Sequence, residues 1–134
     1  MGAGYEIEYA YTPIGVYGIS NAVKISSGII HSCALLLDNR IKCWGGNLSG
    51  QLGNSDTTNR ITPDYVTDLN NAIQISAGDH HTCAIIEDHS VKCWGLNKYG
   101  QLGNDSTTDS LVPVSVFEIS TATQVSCGSI HTCA

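Results

Sequence analysis

The sequence predicts an all-β protein built by stacking one repeated unit, and three observations carry that prediction. Offset by 50 residues, segment 22–71 matches 72–121 at 22 of 50 positions without a gap. No stretch has a 3.6-residue apolar period, whereas short alternating or apolar runs recur between clusters of Gly, Asn, Ser and Thr. Each copy divides into four such runs, and four short strands in about 50 residues make one blade of a β-propeller. A unit of this kind cannot bury its apolar face alone, so its stability must come from neighbouring copies.

Residues 1–11 match no copy and are left unassigned. Thr12, Pro13 and Val16 fall 50 residues before Thr62, Pro63 and Val66, so 12–21 reads as the end of a preceding copy. Whole copies follow at 22–71 and 72–121, and 122–134 begins a third. The first strand of each copy is expected at 23–26, 73–76 and 123–126, ending before Gly28, Gly78 and Gly128. The second, 32–37 in the first copy, is apolar nearly throughout and should be covered on both faces. The third is expected at 41–44, followed by a long polar loop over 45–59 and a fourth strand near 62–66 that leads into the next copy. The third copy stops after His131-Thr132-Cys133-Ala134, where the others continue into an apolar strand, so the chain is expected to be an excerpt of a longer protein.

Turn chemistry sets the register of the cysteines. A three-residue hairpin loop of the type I turn plus G1 bulge kind needs a left-handed residue at its last position. That position holds Asn39 in one copy and His89 in the next, both residue types enriched in this conformation. With 37–39 as the loop, Leu36 faces Arg40, and counting outward sets Cys33 opposite Cys43 and Cys83 opposite Cys93. Directly opposed residues are close enough for a disulfide. Each bridge would contribute roughly 3 kcal/mol through chain entropy. Reduced buried thiols and a metal site are the alternatives; the usual knuckle spacing and a recurring fourth ligand are missing for the latter. Two regular disulfides would place the chain in an oxidising, extracellular or cell-surface setting. Cys133 lacks a partner, and Cys127 stands where the other copies have Ser27 and Ala77.

Histidines recur as His31, His81 and His131 with no nucleophile or carboxylate at a companion spacing, so they read as structural, and no catalytic residue is assigned. Trp44 and Trp94 are expected to fill the space between adjacent blades. The identical runs 50–54 and 100–104 lack the Lys-Ser/Thr ending and following helix of a phosphate loop, and no cofactor is implied. Asn47-Leu48-Ser49 and Asn104-Asp105-Ser106 fit the glycosylation sequon, a pattern short enough to arise by chance. The net charge of −6 and six scattered Lys and Arg build no basic stripe, which argues against nucleic-acid binding. No run approaches a membrane span, and the first eight residues lack the basic and apolar regions of a signal peptide.

The run Cys43-Trp44-Gly45-Gly46-Asn47-Leu48-Ser49-Gly50-Gln51-Leu52-Gly53, its counterpart from Cys93 to Gly103, and the Gly-x-x-His-Ser/Thr-Cys-Ala element at Gly28, Gly78 and Gly128 resemble the repeat of the regulator of chromosome condensation family. The resemblance covers 12–134. It implies a β-propeller, typically of seven blades, and the paired cysteines are similar to a secreted bacterial form. The family includes an exchange factor for a small nuclear GTPase and a secreted inhibitor of β-lactamases, and fold kinship does not choose between such roles.

Positions shared by the copies answer to the blade, whereas positions that differ are free to answer to a partner. Ile29-Ile30 becomes Asp79-His80 and then Ser129-Ile130, while Leu48-Ser49 becomes Lys98-Tyr99. Ile29, Ile30, Asp79, His80, Lys98 and Tyr99 are therefore the candidate partner-binding residues. The expectation is a non-enzymatic, extracytoplasmic scaffold for protein binding. An intracellular regulator of a small GTPase with reduced cysteines is the alternative.

Overall fold

A computed structural model describes residues 11–134; apart from Tyr11, the unassigned segment 1–11 lies outside the described residues. Two four-stranded antiparallel sheets follow each other along the chain. The first contains β1 (Ala22–Ser27), β2 (His31–Leu36), β3 (Ile41–Gly45) and β4 (Arg60–Tyr65), in that spatial order. The second repeats it with β5 (Ala72–Ala77), β6 (His81–Ile86), β7 (Val91–Gly95) and β8 (Ser110–Ser115). A short pair, β9 (Ser126–Cys127) and β10 (Thr132–Cys133), starts the third unit. Among the described residues no helix is long and apolar enough to cross a membrane.

The hairpin geometry follows from its turn residues. Asn39 and His89 take φ of 61° and 64°, and the Leu36 amide donates to the Arg40 carbonyl at 2.9 Å. This register sets Cys33 opposite Cys43 and Cys83 opposite Cys93, and each pair is joined as a disulfide inside one blade. The long loop after β3 is organised by one buried asparagine. Asn47 accepts from the Leu52 amide at 2.9 Å and donates to Asn54 Oδ1 at 3.0 Å and the Asp56 carbonyl at 2.8 Å. Asn97 repeats the arrangement toward Leu102, Asn104 and Ser106. With its side chain fully buried, Asn47 is no acceptor for a glycan.

The core lies between the sheets. One side of the first blade, with Leu35, Ile41, Leu52, Val66 and Leu69, packs against Ile75, Ala84, Ile86 and Trp94 of the second. Ile85, Val91 and Leu102 of the second blade pack in turn on Ala122 and Val125. The apolar residue of each first strand therefore faces the preceding blade: Ile75 and Val125 are 7% and 5% exposed, while Ile25 is 76% exposed. Trp44 packs with Val16 and Ile19, the counterparts of Val66 and Leu69.

Two strand boundaries differ from the sequence expectation. The fourth strand begins earlier, because Arg60 pairs with Gly45 across a bulge. In the third unit, the strand expected over 123–126 is reduced to Ser126–Cys127. Leu35 and Leu36, which pair the front half of that strand in the first copy, have no counterpart before Ala134.

Candidate functional site

Two different sets of residues hold the blades together and decorate their edge. The shared set forms a hydrogen-bonded clasp. His31 Nε2 lies 2.8 Å from Thr82 Oγ1, which donates at 3.0 Å to the Gln51 carbonyl, and the same carbonyl receives the Trp94 indole N–H at 3.0 Å. Because the threonine proton is committed to Gln51, the ring must donate from Nε2, leaving Nδ1 unprotonated. His31 Nδ1 is buried with no partner among the described residues. The next interface repeats the arrangement: His81 Nε2 lies 2.9 Å from Thr132 Oγ1, which donates to the Gln101 carbonyl at 2.8 Å. Burial, reinforced for His31 by the neighbouring His81 and His80, pushes His31 down to about 4. Burial also lowers His81 to about 4, against the opposing pull of the Asp79 carboxylate.

Glycine is required where the blades touch. A Cβ at Gly28 would overlap the Gly78 carbonyl and the His31 ring, and one at Gly78 would meet the Gly128 carbonyl and the His81 ring. Ser26 and Ser76 hydroxyls complete the seam by accepting the amides of Ala77 and Cys127, both at 2.9 Å.

His81, Cys83 and Cys127 place ligand-type atoms within 4.8 Å of one another. They do not form a metal centre: the Cys83 sulfur is bonded to Cys93, and the Thr132 hydroxyl sits 3.7 Å from Cys83 Sγ and 4.0 Å from Cys127 Sγ. Burial raises the Cys127 thiol, whose proton points to the Ser76 carbonyl at 3.3 Å.

The variable residues gather on one rim. The loop between the first two strands and the loop after the third are tied by Gly46 N–H to the Ile30 carbonyl, 2.6 Å, and by Leu96 N–H to the His80 carbonyl, 2.9 Å. Ile29 is 65% exposed and Tyr99 60%, with the Lys98 ammonium 5.8 Å from the Tyr99 ring centroid. Ile30, Asp79 and His80 are only half-buried, not free: the Ile30 side chain lies against Gly46, and Asp79 accepts from the Ser129 hydroxyl. Sequence reasoning missed Leu48, 77% exposed, and Ile61, 48% exposed, which with Ile30 and Arg60 line a groove of about 360 Å³. Leu48 carried a signal, since Lys98 replaces it in the second copy; Ile61 carried none, because its counterpart Leu111 is also apolar. The first blade thus presents an apolar rim and the second, with Asp79, His80 and Lys98, a polar one.

Repeated four-stranded sheets of about 50 residues, packed face to face through a shared clasp, define this chain as part of a β-propeller. The regulator of chromosome condensation (RCC1) repeat model matches residues 38–85 and 88–134, and a second model of that repeat matches 22–51 and 72–101. The chain belongs to the RCC1 repeat family. Its fold is similar to that of human WBSCR16, with a TM-score of 0.76, 21% identity, and coverage of 89% of this chain and 32% of that one. Yeast RCC1 (Prp20) bound to Kap60 gives a TM-score of 0.75 at 23% identity, over 87% of this chain and 30% of that one. The ectodomain of the Physcomitrella patens receptor kinase CR4 gives 0.54 at 22% identity, over 92% and 30%. This chain therefore spans about a third of the length of the structures it matches. No curated protein matches the sequence significantly.

Proposed function

We propose that this chain is a non-enzymatic, protein-binding segment of an extracytoplasmic propeller, and that the partner is contacted along the variable rim. The observation that carries the reading is the contrast between copies. The repeated histidine, cysteine, tryptophan, asparagine, glutamine and leucine of the clasp and core are buried, whereas Ile29, Leu48, Lys98 and Tyr99 differ between copies and stand exposed on one rim. Exposed aliphatic side chains on the first blade and an exposed aromatic on the second, held by a disulfide-braced scaffold, are residue types a recognition surface uses. Two disulfides support an oxidising compartment. The net charge of −6 supports a partner other than nucleic acid.

The test uses the oxidised chain as bait for secreted and surface proteins of its source, followed by alanine substitution of Ile29, Leu48, Lys98 and Tyr99. Tyr99→Ala and Leu48→Ala should each weaken binding of the captured protein by about tenfold, equivalent to about 1.4 kcal/mol, with unfolding midpoints unchanged. If every rim variant binds as the parent does, the rim is solvated drift and the reading fails.

A further inference from the structure

The two long loops that follow the third strands are held by different chemistry. In the first copy both ends of the Asn54 amide are engaged: Oδ1 accepts from Asn47 Nδ2 at 3.0 Å, and Nδ2 donates to Asp64 Oδ2 at 3.1 Å. Asp64 is itself paired with Arg60, which also pairs with Asp56, so three charged side chains close around that amide. Fifty residues on all three are replaced, with Ser106, Ser110 and Val114 standing for Asp56, Arg60 and Asp64.

Asn104, the counterpart of Asn54, keeps half of the arrangement. Its Oδ1 accepts from Asn97 Nδ2 at 3.0 Å. The orientation is pinned, because Asn97 Oδ1 takes the Leu102 backbone N–H at 2.9 Å and a backbone N–H can only donate. Without the carboxylate, Asn104 Nδ2 donates to no acceptor among the described residues. Nor is it sealed from water: the buried side-chain atoms left without a partner there are His31 Nδ1, Gln51 Nε2, His81 Nδ1 and Gln101 Nε2. Asn104 is half-buried between exposed Gly103 and Asp105, and an open cleft of about 400 Å³ lined by Gly100, Asp105, Ser106 and Thr107 follows along the loop.

Ser106 also takes over a turn contact from the residue it replaces. The Thr58 amide donates to Asp56 Oδ1 at 2.7 Å, and the Thr108 amide donates to Ser106 Oγ at 3.1 Å. Its hydroxyl, two residues after Asn104, completes an Asn-x-Ser sequence that the first copy, with Asp56, does not have at this place.

We infer that Asn104 is a glycosylation site, carrying an N-linked oligosaccharide on the amide nitrogen that the folded blade leaves unused. The inference rests on the extracytoplasmic reading above, since the sugar is attached in the secretory compartment. Transfer from a lipid pyrophosphate-linked oligosaccharide forms the bond between sugar C1 and Nδ2 and breaks the bond between C1 and the pyrophosphate oxygen. The lipid pyrophosphate leaves, and Nδ2 gives up one of its two protons. Oδ1 keeps its lone pairs, so the bond from Asn97 survives. Asn47, in the other sequon, is excluded by the fold, because its side chain is fully buried and its Nδ2 is committed to Asn54 and Asp56.

The experiment secretes the whole chain, behind a cleavable leader, from a eukaryotic cell that attaches N-linked oligosaccharide. Peptides are mapped after glycosidase release in isotope-labelled water, which turns each glycosylated asparagine into labelled aspartate. The folded fraction should carry label at Asn104 and none at Asn47. Ser106→Thr should keep the glycan. Ser106→Asp, which restores the residue of the first copy and retains an acceptor for the Thr108 amide, should lose it, with the same unfolding midpoint as the glycosylated parent. An unlabelled Asn104 in both the parent and Ser106→Thr would overturn the inference. So would label at Asn47 in the folded chain, or a glycosylated parent that melts below Ser106→Asp, because the nitrogen would then not be free. The same maps report the cysteines: unpaired thiols at 33, 43, 83 and 93 would overturn the extracytoplasmic reading, whereas an unmodified Asn104 in a disulfide-bonded chain overturns this inference alone.

Discussion

Mild acid should loosen the blades through the two clasp histidines. In the folded chain His31 and His81 are held at about 4, against about 6.5 in an unfolded chain. A buried imidazole that donates from Nε2 and has no partner at Nδ1 gains nothing from a second proton. Between those two values the unfolded chain binds more protons than the folded one, so stability falls as pH falls. The contribution is fully present above pH 6.5 and disappears as pH drops through about 4. At pH 5 the linkage relation gives a loss of about 2 kcal/mol for each ring, or about 4 kcal/mol together. That is a large share of the roughly 5–15 kcal/mol typical of a domain. The assay is urea unfolding followed by tryptophan fluorescence from pH 7.5 to 4.5, on the parent and on a His31→Gln/His81→Gln variant. The parent should lose stability with a slope of about 2.4 kcal/mol per pH unit near pH 5, whereas the variant, weaker at neutral pH, should be much flatter. Asp38, Asp56 and Asp88 have carboxyls held below their ordinary range, so they titrate beneath this window. A parent curve flat between pH 7 and 5, or an equal slope in the variant, would refute the role given to the clasp.

Other substitutions test the remaining parts. Trp94→Ala should cost about 3–5 kcal/mol, because a fully buried indole is removed and Gln51 loses a donor; Trp94→Phe should recover much of this, both read from urea midpoints. Gly78→Ala should separate the second and third units, seen as faster amide exchange over residues 122–134, since the added methyl would overlap the Gly128 carbonyl. Asn97→Ala should cost about 1–3 kcal/mol and open the loop of residues 96–109 to limited proteolysis, because that one side chain bonds Leu102, Asn104, Ser106 and Thr108.

The blade was readable in the sequence because its determinants are local. Asn39 and His89 fix a turn, the turn fixes the register, and the register sets the cysteines opposite each other. The packing direction was partly readable, since alternation in the first strand marks an apolar face without saying which neighbour covers it; only the 76% exposure of Ile25 beside 7% for Ile75 assigns it to the preceding blade. The clasp was not readable, because it joins residues about 50 positions apart through a side chain, Thr82, whose counterpart in the first copy is Ser32. Ser32 lies 3.0 Å from the Ser27 hydroxyl instead. Comparison of copies marks positions by their divergence and does not report their exposure. Ile30, Asp79 and His80 are spent partly on fixing the loops, and Ile61 escaped notice because both copies are apolar there.

The central claim is that each copy closes as its own blade and that successive blades meet only through non-covalent contacts. Non-reducing peptide mapping of the chain, made in an oxidising compartment and alkylated before digestion, tests it directly. The account predicts bridges Cys33–Cys43 and Cys83–Cys93, each within one copy, with Cys127 and Cys133 recovered as alkylated thiols. A bridge between copies, such as Cys83 to Cys127, or four unpaired cysteines at positions 33, 43, 83 and 93, would contradict it.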